Sequence, residues 1–381
     1  IRTSTSIPQI FLARIARTPN HEAFRFPVKD TWQSLTWKQA GERILDLAGG
    51  LLAIGVHRED RIAIVSSTRA EWVFADTAIL CAGGATTTIY PSSMADECAY
   101  IIHDSGSRFC FAEDHSQLDK LREQRGNMPQ LERVFLIDGD VAPADADWVQ
   151  SVAQLQKDGA AWRAANPDRI AAIAAETLGT HLATLIYTSG TTGRPKGVRL
   201  NHECWAYEAD AIHTLQIIRE DDVQYLWLPL AHSFGKVLTG AHLITGHCCA
   251  IDGRIPKLID NLAVVRPTFM AAAPRIFEKV YNKVISGAKE GGAIKWKIFR
   301  WAIAAGKEGS ALRQKGLVPS GLLAFKLRIA DKLVFSKLKN RFGGKLRFFI
   351  SGSAPLSREI AEFFHACDIL ILEGYGLTET S

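Results

Sequence analysis

Between residues 61 and 137 short apolar runs alternate with longer segments of helical spacing. The runs at 61–66, 85–89, 108–112 and 133–137 have strand length; 69–82, 93–105 and 115–125 carry the wider period of helices. Strands that alternate with helices indicate a parallel, doubly wound sheet. The order returns after residue 203, with helix 204–214, strand 224–228, helix 238–244, strand 248–251, helix 256–265 and strand 268–271. A helical stretch opens at Pro274, further helices are expected near 293–306 and 319–340, and strands 348–351 and 369–373 enclose helix 356–366. Two α/β subdomains follow: the first over 56–212, the second over 1–55 and 213–381 with a basic helical insert at 282–346. At the N-terminal end, helix 7–17 precedes a longer one that starts at Thr36 with a Thr36/Gln39 capping box. Gly49, Gly50 and Gly55 are expected to weaken the end of that helix, and an Ala-rich tract at 159–179 is read as a connection.

Hydrophobic content of 47% and charged content of 22% are those of an ordinary globular chain, and no run of eighteen apolar residues is present to span a membrane. Seven cysteines, an odd number without a CxxC, point to buried thiols in a reducing cytosol. The histidines show no zinc-site spacing, and no Gly-x-Ser-x-Gly elbow occurs. The net charge of +5 is local in origin: between Lys279 and Arg347 seventeen Lys/Arg face only Glu290, Glu308 and Asp331.

Against this background one loop carries chemistry. An apolar run at 182–187 reads as a buried strand, 198–200 as a short second strand, and Asn201 as a helix cap. Between them stands Thr188-Ser189-Gly190-Thr191-Thr192-Gly193-Arg194-Pro195-Lys196-Gly197. Glycines let backbone N–H groups converge on one point, four hydroxyls can donate to phosphate oxygens, and Lys196 supplies a mobile cation. Pro-Lys-Gly replaces the Gly-Lys-Ser/Thr of a Walker A loop. A second candidate is Glu373-Gly374-Tyr375-Gly376-Leu377-Thr378-Glu379 at the end of a strand, where open α/β sheets bind ligands.

The eleven-residue order 187–197 resembles the phosphate loop of the AMP-forming adenylate enzymes, which include acyl-CoA synthetases, adenylation domains of peptide synthetases and luciferases. Tyr90-Pro91-Ser92 and the run 100–105 fit the same family. The resemblance implies two flavodoxin-like subdomains of that family's N-terminal domain, with its β-barrel subdomain and C-terminal domain largely missing. It also assigns residues. Thr188, Ser189, Gly190, Thr191, Thr192, Gly193 and Lys196 would hold the phosphates of ATP. Gly352, Ser353 and Ala354 would line the adenine pocket, and Tyr375, flanked by Glu373, Gly374 and Gly376, would stack on the base. Thr378 would hold the α-phosphate, while Glu379, with Thr191, would bind Mg²⁺. His232 would lie near the reacting carboxylate, with Phe234 and Gly235 at the acyl entrance. Lys196, Thr191, His232, Thr378 and Glu379 are thus the implied catalytic set.

The long insert before Phe349-Ile350-Ser351-Gly352 is similar to that of long-chain fatty acyl-CoA synthetases. It implies a cytoplasmic enzyme whose partners are a fatty acid, ATP and CoA, with no nucleic acid. Two readings of 279–347 stay open: helices packing one face on the core, or a cationic interfacial patch in peripheral contact with anionic lipid. Alternatives of function are a fatty acyl-AMP ligase that loads a carrier protein, an amino-acid adenylation module, and a non-catalytic lipid-surface module. In the family a ribose-binding Asp, a hinge and a mobile domain with a catalytic Lys would follow Ser381, and a segment would precede Ile1. This stretch alone is therefore expected to bind ATP weakly or not at all and to lack full activity.

Overall fold

The computed structural model describes residues 5–29, 31–188 and 193–380. Its strands are, in chain order, β1 (Glu22–Val28), β2 (Thr31–Thr36), β3 (Arg61–Val65), β4 (Ala85–Ile89), β5 (Phe109–Ala112), β6 (Arg133–Leu136), β7 (Val149–Ser151), β8 (Leu182–Thr188), β9 (Lys196–Asn201), β10 (Val223–Leu226), β11 (Cys248–Ile251), β12 (Phe269–Ala272), β13 (Phe348–Ser351) and β14 (Leu370–Glu373). The chain divides into two compact units, one of residues 1–221, 227–253 and 377–381, the other of 222–226 and 254–376.

The first unit carries the sheet β7-β6-β5-β3-β4-β8-β9. Every neighbouring pair in it is parallel except β8–β9, which closes as an antiparallel hairpin. Reading β3 to β7 alone gives the flavodoxin-like order, with a switch point between β3 and β5. That switch point is taken up by the protein itself: the Glu113 carboxylate accepts from Ser67 N (2.7 Å) and Ser67 Oγ (2.6 Å). Helix Ala70–Cys81 crosses from β3 to β4 with every residue but Glu71 buried, as its apolar run predicts. A second ladder in this unit pairs β11 with β1 in parallel and β1 with β2 as a hairpin. This hairpin carries no expectation from sequence, because Arg25 and Pro27 break the apolar run.

Helix Trp37–Ala53 has the expected capping box: Thr36 Oγ1 accepts from Gln39 N (3.3 Å), and Gln39 Oε1 accepts from Thr36 N (2.9 Å). It does not weaken at Gly49 and Gly50 but runs through them to Ala53. The reason lies in helix Val152–Ala165, which runs on into the segment read as a connection. A Cβ on Gly159 would overlap the Asp46 carbonyl oxygen, and one on Gly49 would sit 2.6 Å from the Gly159 carbonyl oxygen. The glycines therefore let two helix backbones touch, and packing outweighs their roughly 1 kcal/mol propensity penalty. Helix Arg169–Glu176 completes the Ala-rich tract.

The second unit holds four parallel strands, β10, β12, β13 and β14, in that spatial order. Helices Pro274–Glu290, Ala293–Arg313, Gly321–Ala330 and Ser336–Arg341 form the insert between β12 and β13, with a π-helical turn at Asp331–Phe335 where one unbroken helix is expected. An aromatic cluster of Phe277, Phe342, Phe349, Phe363 and Phe364 packs helix Arg358–Ala366 and the insert onto the sheet. No helix among the described residues is long and apolar enough to cross a membrane.

Candidate active site

The site residues fall in both units, and each group is built within its own. In the first unit, β8 and β9 pair so that Thr188 stands opposite Lys196 at the open end of the hairpin. Ser189, Gly190, Thr191 and Thr192 lie outside the described residues. Gly193 has φ +140°, a backbone state that a side chain strains. The end of the loop is buttressed by helix Ala95–Ser105. Tyr100 Oη donates to the Pro195 carbonyl oxygen (3.1 Å), and the Arg194 guanidinium lies 5.1 Å above the Tyr100 ring. Tyr187 Oη donates to Asp104 Oδ2 (2.7 Å); burial, with the Asp104 charge beside it, pushes the phenol well up. Asn201 caps the following helix through a bond from Cys204 N (3.0 Å), as expected.

The chain re-enters this unit at Leu377, which brings the end of the second motif to the first. Thr188 Oγ1 donates to Glu379 Oε1 at 3.4 Å across 191 residues of sequence. Thr378 is buried, and its hydroxyl lies 3.1 Å from Ser233 Oγ. His232 is the N-cap of helix Ser233–Thr245; its Nδ1 accepts from Phe234 N (3.1 Å), which leaves the proton on Nε2. Burial holds the imidazole below its usual range and so neutral near pH 7. Gly235 is required where it stands, because a Cβ there would overlap the Pro229 carbonyl oxygen.

In the second unit, β13 and β14 end side by side, with Ser351 paired to Glu373 and Gly374 N donating to Ser351 O (2.8 Å). Gly352, Ser353 and Ala354 therefore neighbour Glu373 and Gly374 at the C-terminal ends of parallel strands. Ser353 holds φ +70°, which only a well-determined turn sustains in a non-glycine residue. Ser351 Oγ is buried with no hydrogen-bond partner among the described residues. Tyr375 is 93% exposed, and Gly376 beside it is exposed too.

A family model described as AMP-binding enzyme matches residues 11–381. The chain belongs to that family. Among curated relatives of this AMP-binding enzyme, the long-chain-fatty-acid–CoA ligase FadD15 of Mycobacterium bovis is 35% identical over 366 residues, covering 95% of this chain and 59% of its own length. Fatty acyl-CoA synthetase A of Dictyostelium discoideum is 32% identical, covering 91% of this chain and 50% of its own. The chain thus spans little more than half the length of these curated relatives. A crystal structure of a long-chain-fatty-acid–CoA ligase from Archaeoglobus fulgidus shares the fold with TM-score 0.71 at 17% identity, over 98% of this chain and 64% of that one.

Three residues that contact the candidate site residues carry no expectation from sequence. Ser233 stands beside the chosen His232 in the stretch that precedes the expected helix 238–244. Tyr100 and Asp104 lie in a run matched to the family with no role attached. A depression of about 290 Å³ beside Thr380 is lined by Glu203 and Glu208, whose carboxylates suit no phosphate.

Proposed function

We propose that the whole protein activates a long-chain fatty acid with ATP: the carboxylate attacks the α-phosphate to give acyl-AMP and pyrophosphate, and the thiol of CoA then displaces AMP. The observation that carries this reading is the meeting of Thr188 and Glu379, which joins the hydroxyl and lysine of one motif to the carboxylate of the other within one unit. Hydroxyls on Thr188, Ser189, Thr191 and Thr192, the Lys196 ammonium and the Thr378 hydroxyl suit the charge that gathers on the phosphates. The oxygen donors of Glu379 and Thr191 would hold Mg²⁺, which supplies charge neutralisation at those oxygens. The unpartnered buried Ser351 hydroxyl supports a polar ligand at the turn of Gly352, Ser353 and Ala354, where Tyr375 would stack on adenine. His232, neutral and half-buried, would face the acyl carboxylate without its own charge at stake. The first subdomain at 56–212 is part of the same reading; all strands from β3 to β9 fall inside it and form one sheet.

Fatty-acid-dependent exchange of pyrophosphate into ATP tests the proposal, with acids of increasing length against amino acids. Exchange with long-chain acids alone is expected; exchange with amino acids only overturns it. Supplying CoA or a carrier protein to the loaded enzyme separates a CoA ligase from a carrier-loading acyl-AMP ligase.

A second reading concerns where the enzyme works. Helix Gly321–Ala330 exposes Leu322 (71%), Phe325 (60%) and Ile329 on one face, and Leu333 follows in the next turn. Lys326, Arg328, Lys332 and Lys337 flank them. An apolar stripe edged by cations matches an anionic lipid surface, and we take the enzyme to be cytoplasmic with peripheral membrane contact here. Sedimentation with phosphatidylserine vesicles is expected for the wild type and lost on reversing Lys326, Lys332 and Lys337 to Glu; unchanged sedimentation removes this reading.

A further inference from the structure

Helix Ser233–Thr245 carries a lysine where local rules argue against one. Lys236 lies in its first turn, beside N–H groups already short of acceptors and at the positive end of the dipole. It is also buried, 3% exposed, against a 5% exposed Asp76 from helix Ala70–Cys81. Nζ donates to both carboxylate oxygens at 2.6 Å. The indoles of Trp72 and Trp205 stand 5.6 and 5.4 Å from the ammonium. Desolvation lowers the ammonium's affinity for its proton, and Asp76 opposes this. A buried ion pair is weak evidence for stability, because an apolar pair of the same volume often serves as well or better. Its presence therefore asks for another role.

The surrounding geometry supplies one. The segment from Leu228 to Lys236 is tied to the first sheet and its crossover helix at successive points. Thr68 Oγ1 donates to Leu228 O (2.7 Å), Thr88 Oγ1 donates to Ala231 O (3.0 Å), and the Asp76–Lys236 pair closes the series. Lys236 N bonds back to His232 O (3.1 Å), so the ion pair sets the first helical turn that carries His232 and Ser233. Ser233 Oγ is the atom that meets Thr378.

We infer that Asp76 and Lys236 are positioning residues: their buried pair fixes the depth and rotation of the first turn of helix Ser233–Thr245, so that Ser233 holds Thr378, and His232 stands, where adenylation needs them. This rests on the adenylate-forming reading above. A salt bridge suits the task because it is directional, whereas an apolar contact lets the turn slide.

The test compares wild-type whole protein with the apolar double variant Asp76→Leu/Lys236→Met and with Lys236→Arg. The double variant is expected to unfold at an unchanged or higher temperature, yet to lose about tenfold or more in kcat for pyrophosphate exchange, with KM for ATP little changed. Lys236→Arg, which keeps charge and hydrogen bonds, is expected to restore most of that rate. A double variant that keeps the wild-type rate within about twofold overturns the proposal. Where the double variant does not fold, Asp76→Glu decides: it keeps both charges and shifts the ammonium by one methylene. A several-fold lower rate at an unchanged melting point is expected, and a wild-type rate overturns the inference. If the wild type exchanges pyrophosphate with no acid, the functional reading itself fails. Positioning is then read by amide hydrogen exchange: residues 232–236 should lose protection in the double variant while 85–89 keep theirs, and unchanged protection at 232–236 overturns it.

Discussion

Helix Ala70–Cys81 and helix Gly321–Ala330 are written in similar letters, and the fold treats them in opposite ways. The first is buried at every position but Glu71 and holds a carboxylate in its interior. The second buries Ala330 alone and turns Leu322 and Phe325 outward among cations. Apolar composition drives both out of water, but only packing partners decide whether the surface that receives them is the same chain. In the covered helix nearly every substitution meets neighbours; in the exposed one most meet solvent. The covered helix should therefore hold the residues on which folding depends, and the exposed one those that matter only to an outside surface.

The largest effect expected from breaking this contrast is at Asp76. Asp76→Ala leaves the Lys236 ammonium buried and unpaired, and chemical denaturation should show a loss of about 3–5 kcal/mol. Next comes Ile79→Ala on the same helix, a fully buried side chain whose truncation should cost about 2–4 kcal/mol by the same measurement. A third test uses two buried histidines of the same unit, His202 and His247. Burial pushes His202 and His247 down to about 3. The folded state keeps them neutral while the unfolded chain takes up protons near pH 6.5, so stability present above that pH is lost as pH falls toward 3. Each contributes a slope of about 1.4 kcal/mol per pH unit in that window. Denaturant midpoints between pH 6.5 and 4.5 should show this slope, and His202→Gln should remove one share of it. The smallest effect is at Phe325: Phe325→Ser should change stability by less than about 0.5 kcal/mol. Its binding to anionic vesicles should nonetheless weaken by about tenfold, the worth of one buried aromatic. A large loss of stability at Phe325 would show that the exposed face is covered after all.

Much of this was legible from local pattern. The strand and helix order of 61–137 follows from runs whose length and spacing need no distant partner, and Thr36/Gln39 announces its cap within four residues. Both motifs are also visible, since their glycines, hydroxyls and charges sit close together in the chain. What stayed illegible depends on contact. Gly49 and Gly50 look like helix breakers until Gly159 is seen against them. Arg25 and Pro27 hide strand β1, whose ladder to β2 and β11 supplies what propensity denies. Ser233 has no mark of its own, and its role appears only opposite Thr378. Lys236 could have been noticed as the one lysine in a helix otherwise free of Lys, Arg, Asp and Glu, but nothing nearby in the chain names Asp76 as its partner.

The sequence by itself determined the family, the alternation that makes a doubly wound sheet, and the residues able to hold phosphate, because each is set by chemistry within a few positions of the chain. The tertiary structure alone decided that Thr188 meets Glu379, that a lysine can be buried at a helix start, and which apolar face remains bare. Those outcomes depend on desolvation and directional contact between segments far apart in sequence, and no local rule carries that information.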